Sequence, residues 1–179
     1  VPESKARYHS RQIFHWIYQR HVEDINLMTD LSKVVRQALA DKISFESPLK
    51  ESLKQVSSDG TRKFLFKLHD GHTVESVLIP SMGAEPDPDF DLDATPAVDE
   101  FGNPHANPKR LTICISSQVG CAMGCKFCFT ASMGLIRNLE VAEIVSQVNE
   151  LSKIADISNI VYMGMGEPLH NLENVARSL

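Results

Sequence analysis

The stretch Leu111-Thr112-Ile113-Cys114-Ile115-Ser116-Ser117-Gln118-Val119-Gly120-Cys121-Ala122-Met123-Gly124-Cys125-Lys126-Phe127-Cys128 decides how this chain is read. Residues 111–116 are mostly apolar and β-branched, the composition of a short buried strand. Three cysteines follow in the loop 121–128. Further on, Val141, Ile144, Val145 and Val148 recur at helical spacing, with Asn138 as a candidate cap and Glu140 and Glu143 in the first turn. Residues 159–163 read as another buried strand, 164–168 as a turn, and 172 onward as the start of a helix. Strand, loop, helix, strand, loop, helix is the rhythm of a parallel barrel or sheet. In such folds the loops after the strand C-termini carry the active site.

The four cysteines all fall between Cys114 and Cys128, too close together to staple distant parts of a fold. Clustering of that kind in a chain without secretory features points to metal or redox chemistry. Cys121, Cys125 and Cys128 can ligate three irons of a cubane [4Fe–4S] cluster, and the missing fourth thiolate leaves one iron with open coordination. An amino acid's amine and carboxylate could chelate that iron. Gly120 and Gly124 let the loop wrap closely. The alternative is a zinc site with Cys114 as fourth ligand. Zinc sites favour paired C-x₂-C units, whereas the intervals here differ from one another and Cys114 sits inside the predicted strand. One unit later comes Met163-Gly164-Met165-Gly166-Glu167-Pro168. Alone this is an ordinary tight turn; after a strand that follows a cysteine loop, Gly166 permits close backbone approach and Glu167 can offset an ammonium charge.

Upstream the chain changes style twice. Ile13, Trp16 and Ile17 mark one helix within residues 8–20, and Leu31, Val34, Val35, Ala38 and Leu39 mark a second, capped by Asp30 or Ser32. Residues 1–50 therefore form a small helical domain. Residues 51–80 form a β-meander linker: Phe64, Phe66 and Leu68, then Val74, Val77, Leu78 and Ile79, with turns at Asp59-Gly60 and Asp70-Gly71. Apolar residues on both faces predict that both are covered, which makes the face shared by Glu75, Val77 and Ile79 an awkward one for a carboxylate. Residues 81–108 are acidic and proline-rich and read as a mobile surface loop. Residues 109–179 begin the α/β core.

The formal charge is −5 over 179 residues, but segment 81–108 alone carries −7, leaving the rest at +2. An RNA partner is therefore not excluded by charge. No apolar run approaches the ~20 residues of a membrane span, and residues 1–8 lack the apolar core of a secretory signal. A cytoplasmic, monomeric protein is the expectation.

C-x₃-C-x₂-C with an aromatic before the last cysteine resembles the signature of the radical S-adenosylmethionine (SAM) superfamily. That resemblance implies a [4Fe–4S] cluster and reductive cleavage of SAM to a 5′-deoxyadenosyl radical. The turn at 163–168 resembles the superfamily's Gly-Glu-Pro motif, which implies that Gly166 and Glu167 receive the methionine amino group. A closer resemblance runs along nearly the whole chain. It is carried by Arg11-Gln12-Ile13-Phe14-His15-Trp16-Ile17-Tyr18, Met28-Thr29-Asp30-Leu31-Ser32, Val74-Glu75-Ser76-Val77-Leu78-Ile79-Pro80, the segment 114–121, and Met163-Gly164-Met165-Gly166-Glu167-Pro168-Leu169. These are similar to the dual-specificity 23S rRNA and tRNA adenine-C2 methyltransferases. The fold implied is an α/β one, a helical module and β-meander followed by the first βα units of a partial (β/α) barrel.

What that family implies is a two-cysteine mechanism. A cysteine of the C-terminal part carries a methyl group, and the radical removes a hydrogen from it. The resulting carbon radical adds to adenine C2, and Cys114 helps resolve the protein–RNA adduct through a disulfide. Glu75 matches a carboxylate implicated in proton transfer. The partners implied are 23S rRNA, tRNA and an external electron donor such as a flavodoxin. No cysteine follows Cys128, and the acidic segment is longer than the family's usual connection. Residues 111–179 supply about two βα units where a barrel takes ~250 residues, so the expectation is an inactive fragment of a longer enzyme. Two rivals stand: a relative that methylates adenine C8, and a non-catalytic metal-binding RNA module.

Overall fold

The computed structural model describes residues 3–40, 42–80 and 111–179. The acidic segment assigned above to a surface loop lies outside the described residues. The chain divides into two compact units, Val1–Ser47 and Pro48–Leu179.

In the first unit, helix α1 (Glu3–Tyr18) and helix α2 (Lys33–Ala40) are joined through a 3₁₀ turn at Ile25–Leu27. Trp16, Ile25, Met28 and Leu31 are its buried core. The two candidate caps divide their work. Ser32 Oγ accepts from the Val35 amide at 3.4 Å, while Asp30 Oδ1 accepts from Trp16 Nε1 at 2.6 Å and fixes the indole. Leu31 packs from the turn ahead of α2. The helix then faces inward through Val35 and Leu39, and Val34, expected in the apolar stripe, is exposed.

The second unit is built on strands β1 (Lys50–Val56), β2 (Arg62–Lys67), β3 (Thr73–Pro80) and β4 (Leu111–Cys114). Strands β5 (Gln118–Gly120) and β6 (Leu135–Asn138) flank the cysteine loop, and helix α3 (Val141–Ser152), strand β7 (Ile157–Val161) and helix α4 (Leu172–Ser178) complete it. One five-stranded sheet runs β1-β2-β3-β4-β7, and β5 pairs with β6 in a second. The first four strands are antiparallel and β4–β7 is parallel. The meander is thus hydrogen-bonded into the sheet that carries the βα units, with Val77 opposite Cys114. The mixed α/β architecture is the one expected. Both Asp-Gly turns close as their chemistry requires: Gly60 and Gly71 adopt φ of 82° and 89°, and Asp59 and Asp70 accept from the amides two residues on.

Phe64, Phe66, Val74, Leu78 and Ile113 line one face of the sheet and pack with Ile144 and Leu151. Each such side chain contributes roughly 1.5–3 kcal/mol of burial. The opposite face is not covered as expected. Lys63, Leu65, Glu75 and Val77 are only half-buried, so β2 and β3 alternate in and out, while β1 is exposed along most of its length. Glu75 is therefore not stranded in apolar surroundings; it pairs with Lys63 at 3.1 Å. Two other expectations are corrected. The strand predicted at 159–163 is Ile157–Val161, an edge strand whose middle three residues are exposed. Asn138 ends β6, and the cap of α3 is Glu140 in a reciprocal capping box with Glu143.

Glu143 has a second duty. Arg137 Nη1 and Nη2 grip its two oxygens at 2.8 Å each, while Arg137 Nε donates to Asp70 Oδ2 at 2.6 Å. The β2–β3 turn, β6 and α3 are thereby tied at one point. Burial pushes the Glu143 carboxyl up, but Arg137 and the Glu140 amide more than offset this and hold it below its ordinary value. Hydrogen bonding to Arg137 brings Asp70 to about 2. Arg137→Ala leaves Glu143 buried without its cation and is expected to cost about 3–5 kcal/mol at pH 7 by urea unfolding. Both carboxyls are depressed in the folded state, so their contribution is complete above the ordinary value of 4.5 and is lost as pH falls through the folded values toward 2. That acid-limb loss should be smaller in the variant.

Candidate active site

The strand β4 leads into Ser116, Ser117 and Gln118, all buried, and then into the cysteine loop. Three polar side chains in a buried turn need partners, and those of Ser116 and Gln118 tie distant elements together. The Gln147 carboxamide of α3 reads the backbone of Ser116, its Oε1 accepting from the amide at 2.8 Å and its Nε2 donating to the carbonyl at 2.9 Å. Oε1 also accepts from Ser76 Oγ at 2.8 Å. Ser116 Oγ donates to the Glu75 carbonyl at 2.6 Å and accepts from the Met165 amide at 2.9 Å. Gln118 Oε1 accepts from the Glu167 amide at 2.8 Å. Asn171 Nδ2 closes the ring by donating to the carbonyls of Ser117 and Leu139.

These bonds seat the Gly-Glu-Pro turn against β5. Gly166 has φ of 95°, and a Cβ there would lie 2.5 Å from that of Gln118. At Gly164 a Cβ would lie 2.8 Å from the Ile115 carbonyl. Packing alone therefore demands both glycines. Glu167 caps the following 3₁₀ turn, its Oε1 accepting from the Leu169 amide at 3.1 Å.

The loop beyond β5 holds the three cysteines in three different settings. Cys121 is buried, and its amide donates to the Gly134 carbonyl at 3.0 Å. Gly120 is required there, because a Cβ would sit 1.9 Å from that same carbonyl oxygen. Cys125 is exposed, and its carbonyl accepts from the Cys128 amide at 3.1 Å. Cys128 is half-exposed at the head of the 3₁₀ turn Phe129–Met133. Backbone amides of Ala131 and Thr130 hold its thiol below the ordinary value. Among the described residues no group of three His, Cys, Asp or Glu side chains converges on one ion. A cubane asks for something else: it spreads its thiolates over different irons. The donor set fits such a group, being three thiols on one short loop, two of them accessible.

Cys114 stands apart from that loop. It is buried at the end of β4, and burial raises its thiol above the ordinary value although the Met163 backbone partly offsets this. Cys114 pairs with Val77, and Glu75 lies two residues from Val77, so register sets thiol and carboxylate on the same face of the sheet. That face is the half-exposed one. Ser116, Gln118, Gln147 and Asn171 were not singled out from sequence. The signal available was the Ser-Ser-Gln run interrupting an apolar strand just before the cysteines.

Two family profiles match the chain. Residues 3–44 match the ribosomal RNA large subunit methyltransferase N-terminal domain, and residues 115–178 match the radical SAM superfamily. A dual-specificity RNA methyltransferase RlmN from Geobacter sulfurreducens is 46% identical over 177 residues. The chain belongs to the RlmN family. The match covers 99% of this chain and 42% of the Geobacter protein. An RlmN of Syntrophotalea carbinolica is 45% identical, with 98% of this chain and 40% of that protein covered. The crystal structure of a radical SAM methyltransferase from Sphaerobacter thermophilus superposes with a TM-score of 0.70 at 38% identity, covering 96% of this chain and 44% of the other. The chain thus spans less than half the length of these RlmN relatives. As in that family, the cluster and SAM are the cofactors implied. No helix among the described residues is long and apolar enough to cross a membrane.

The clamp can be tested without any cofactor. Gln147→Leu keeps the volume but leaves the Ser116 amide and carbonyl and the Ser76 hydroxyl buried and unpaired. At ~1–3 kcal/mol per orphaned group, and with partial relaxation, the expected loss is about 3 kcal/mol in chemical denaturation, whereas exposed Gln19→Leu should change stability by less than ~0.5 kcal/mol.

Proposed function

We propose that this chain is the RNA-facing N-terminal part and first two βα units of a radical SAM methyltransferase that modifies C2 of adenine in 23S rRNA and tRNA. The observation that carries the reading is the half-exposed sheet face shared by Cys114 and Glu75, at the strand end from which the cysteine loop departs. In this reading Cys121, Cys125 and Cys128 hold a [4Fe–4S] cluster, and Gly166 with Glu167 receives the amino group of SAM. When bound, the cluster supplies the electron that cleaves SAM, drawn from an external donor.

The remaining roles fall to this chain's own side chains. Burial raises the Cys114 thiol above its ordinary value, so in this reading a base withdraws its proton before it reacts. As thiolate it attacks a cysteine sulfur of the C-terminal part: the S–S bond forms as the S–C bond breaks, the S–C electron pair passes into the methylene–adenine unit, and a proton taken up at that carbon completes the methyl group. Glu75, kept in place by Lys63, moves a proton at the adenine. The chain's cysteines end at Cys128, so the methyl-carrying partner belongs to the remainder of the full-length protein.

Two measurements on the full-length enzyme test this. Deletion of its gene should remove 2-methyladenosine from 23S rRNA and tRNA digests; loss of 8-methyladenosine instead would move the assignment to C8, and an unchanged digest would leave a non-catalytic module. Cys114→Ala should keep its cluster and cleave SAM, yet accumulate a covalent protein–RNA species with product release reduced at least 100-fold. Normal turnover would reduce Cys114 to a packing residue, and loss of the cluster would make it a ligand.

A further inference from the structure

Between Ser4 and Val22 there is no acidic residue, while Lys5, Arg7, Arg11 and Arg20 are cationic. Helix α1 buries Trp16 and packs Ile13 and Ile17 against the small core of the first unit. Its outward face carries Arg7, Arg11, Phe14, His15 and Tyr18, at the spacings that stack along one side of a helix. Together with Ser10 and Gln19 they border a shallow, open depression of about 490 Å³ along this side of the helix.

The chemistry of this face is unusual for a solvated helix. Phe14 is 61% exposed and Tyr18 41%, with ring centroids 5.3 Å apart and planes tilted by 44°. The rings are not stacked flat on each other, so each leaves a π-face open. The guanidinium groups of Arg7 and Arg11 have no hydrogen-bond or ion-pair partner among the described residues. They stand about one helical turn, roughly 5.4 Å, apart. Arg20, just past the end of the helix, is occupied differently: it stacks over the Trp16 ring at 4.5 Å and donates to His15 Nε2. Two free guanidiniums beside two open aromatic rings combine phosphate neutralisation with base stacking, the pairing that holds unpaired nucleotides. An acidic peptide would use the arginines and leave the rings without flat partners. A regular duplex would hide its base faces.

We infer that this face of α1 is a binding site for single-stranded RNA, with bases on Phe14 and Tyr18 and phosphates on Arg7 and Arg11. The inference deepens the RNA reading above and rests on it for the choice of partner, but its test involves no methylation.

The probe is a fluorescein-labelled twelve-nucleotide unpaired RNA, titrated with the 179-residue chain by anisotropy across a salt series, beside a duplex of the same composition. The single strand should bind more tightly than the duplex. Arg7→Ala/Arg11→Ala should flatten the slope of log K against log salt by about 1.4, since each phosphate contact to a single strand contributes ~0.7. Arg7→Lys/Arg11→Lys should retain the slope. Phe14→Ala/Tyr18→Ala should weaken binding about tenfold or more with the slope unchanged. Should a variant unfold, crosslinking of 4-thiouridine RNA to the unaltered chain decides, with peptides containing Phe14 or Tyr18 expected. Affinities and slopes that none of the substitutions alters, no measurable binding, or crosslinks confined to residues 111–179 would overturn the site. A full-length enzyme that methylates RNA normally while α1 fails these tests would leave the proposed function standing and remove this site alone.

Discussion

A single carboxamide governs the geometry of the second unit. Gln147 is fully buried on α3, and its two ends bond both backbone groups of Ser116. The strand β4 stops at Cys114; beyond it Ile115 bonds Val161 and Gly164, and the Ser117 and Gln118 amides bond the Met165 carbonyl, which leaves the amide and carbonyl of Ser116 to the Gln147 side chain. Buried amides and carbonyls without partners would each cost kilocalories, and the side chain of a helix supplies what a neighbouring strand otherwise would. Ser116 can then spend its hydroxyl on Glu75 and Met165. Three elements meet there: the meander, the end of β4 and the turn after β7.

The same logic explains the glycines around the turn. Gly164 and Gly166 are needed because the chain at 115–118 already occupies the space a Cβ would take. Such close approach lets Gln118 accept from the Glu167 amide, so the turn and the root of the cysteine loop move as one body. The proposed SAM contacts at Gly166 and Glu167 would therefore hold a fixed relation to Cys121, whose amide is anchored to Gly134. Cys125 and Cys128 lie farther along, where the loop is open to solvent. A rigid root and an accessible tip are compatible with the cluster proposed for this loop.

Arg137 performs a comparable service with charge. It joins a turn of the meander to the capping box of α3 through two carboxylates. Arginine suits the position because its planar fork satisfies both Glu143 oxygens while a third nitrogen reaches Asp70. Lysine could not do all three. The helix that carries Gln147 is thus oriented at its N-terminus by an ion pair and held in its middle by hydrogen bonds.

Much was legible in the residues themselves. The alternation of Phe64, Phe66 and Leu68, the Asp-Gly turns, the helical stripe after residue 140 and the cysteine spacing all report local periodicity or local chemistry, which a one-dimensional string preserves. Family resemblance added the roles proposed for Cys114, Glu75, Gly166 and Glu167, which spacing could not supply. Long-range contacts decided the rest. Glu140 rather than Asn138 caps α3 because Glu143 reaches back to it while also gripping Arg137. Glu75 lies on a half-exposed face because β3 is sandwiched between β2 and β4, and Lys63 comes from the neighbouring strand. Gln147 looks in sequence like any polar residue on a helix; only packing across 31 residues to Ser116 makes it the fixed point of the site. The sequence by itself determined the period of each element and the chemistry of the cysteine loop, because these depend on neighbours along the chain. The partners of buried polar groups were decided only by tertiary structure, because a hydrogen bond is satisfied by whatever folding brings within about 3 Å.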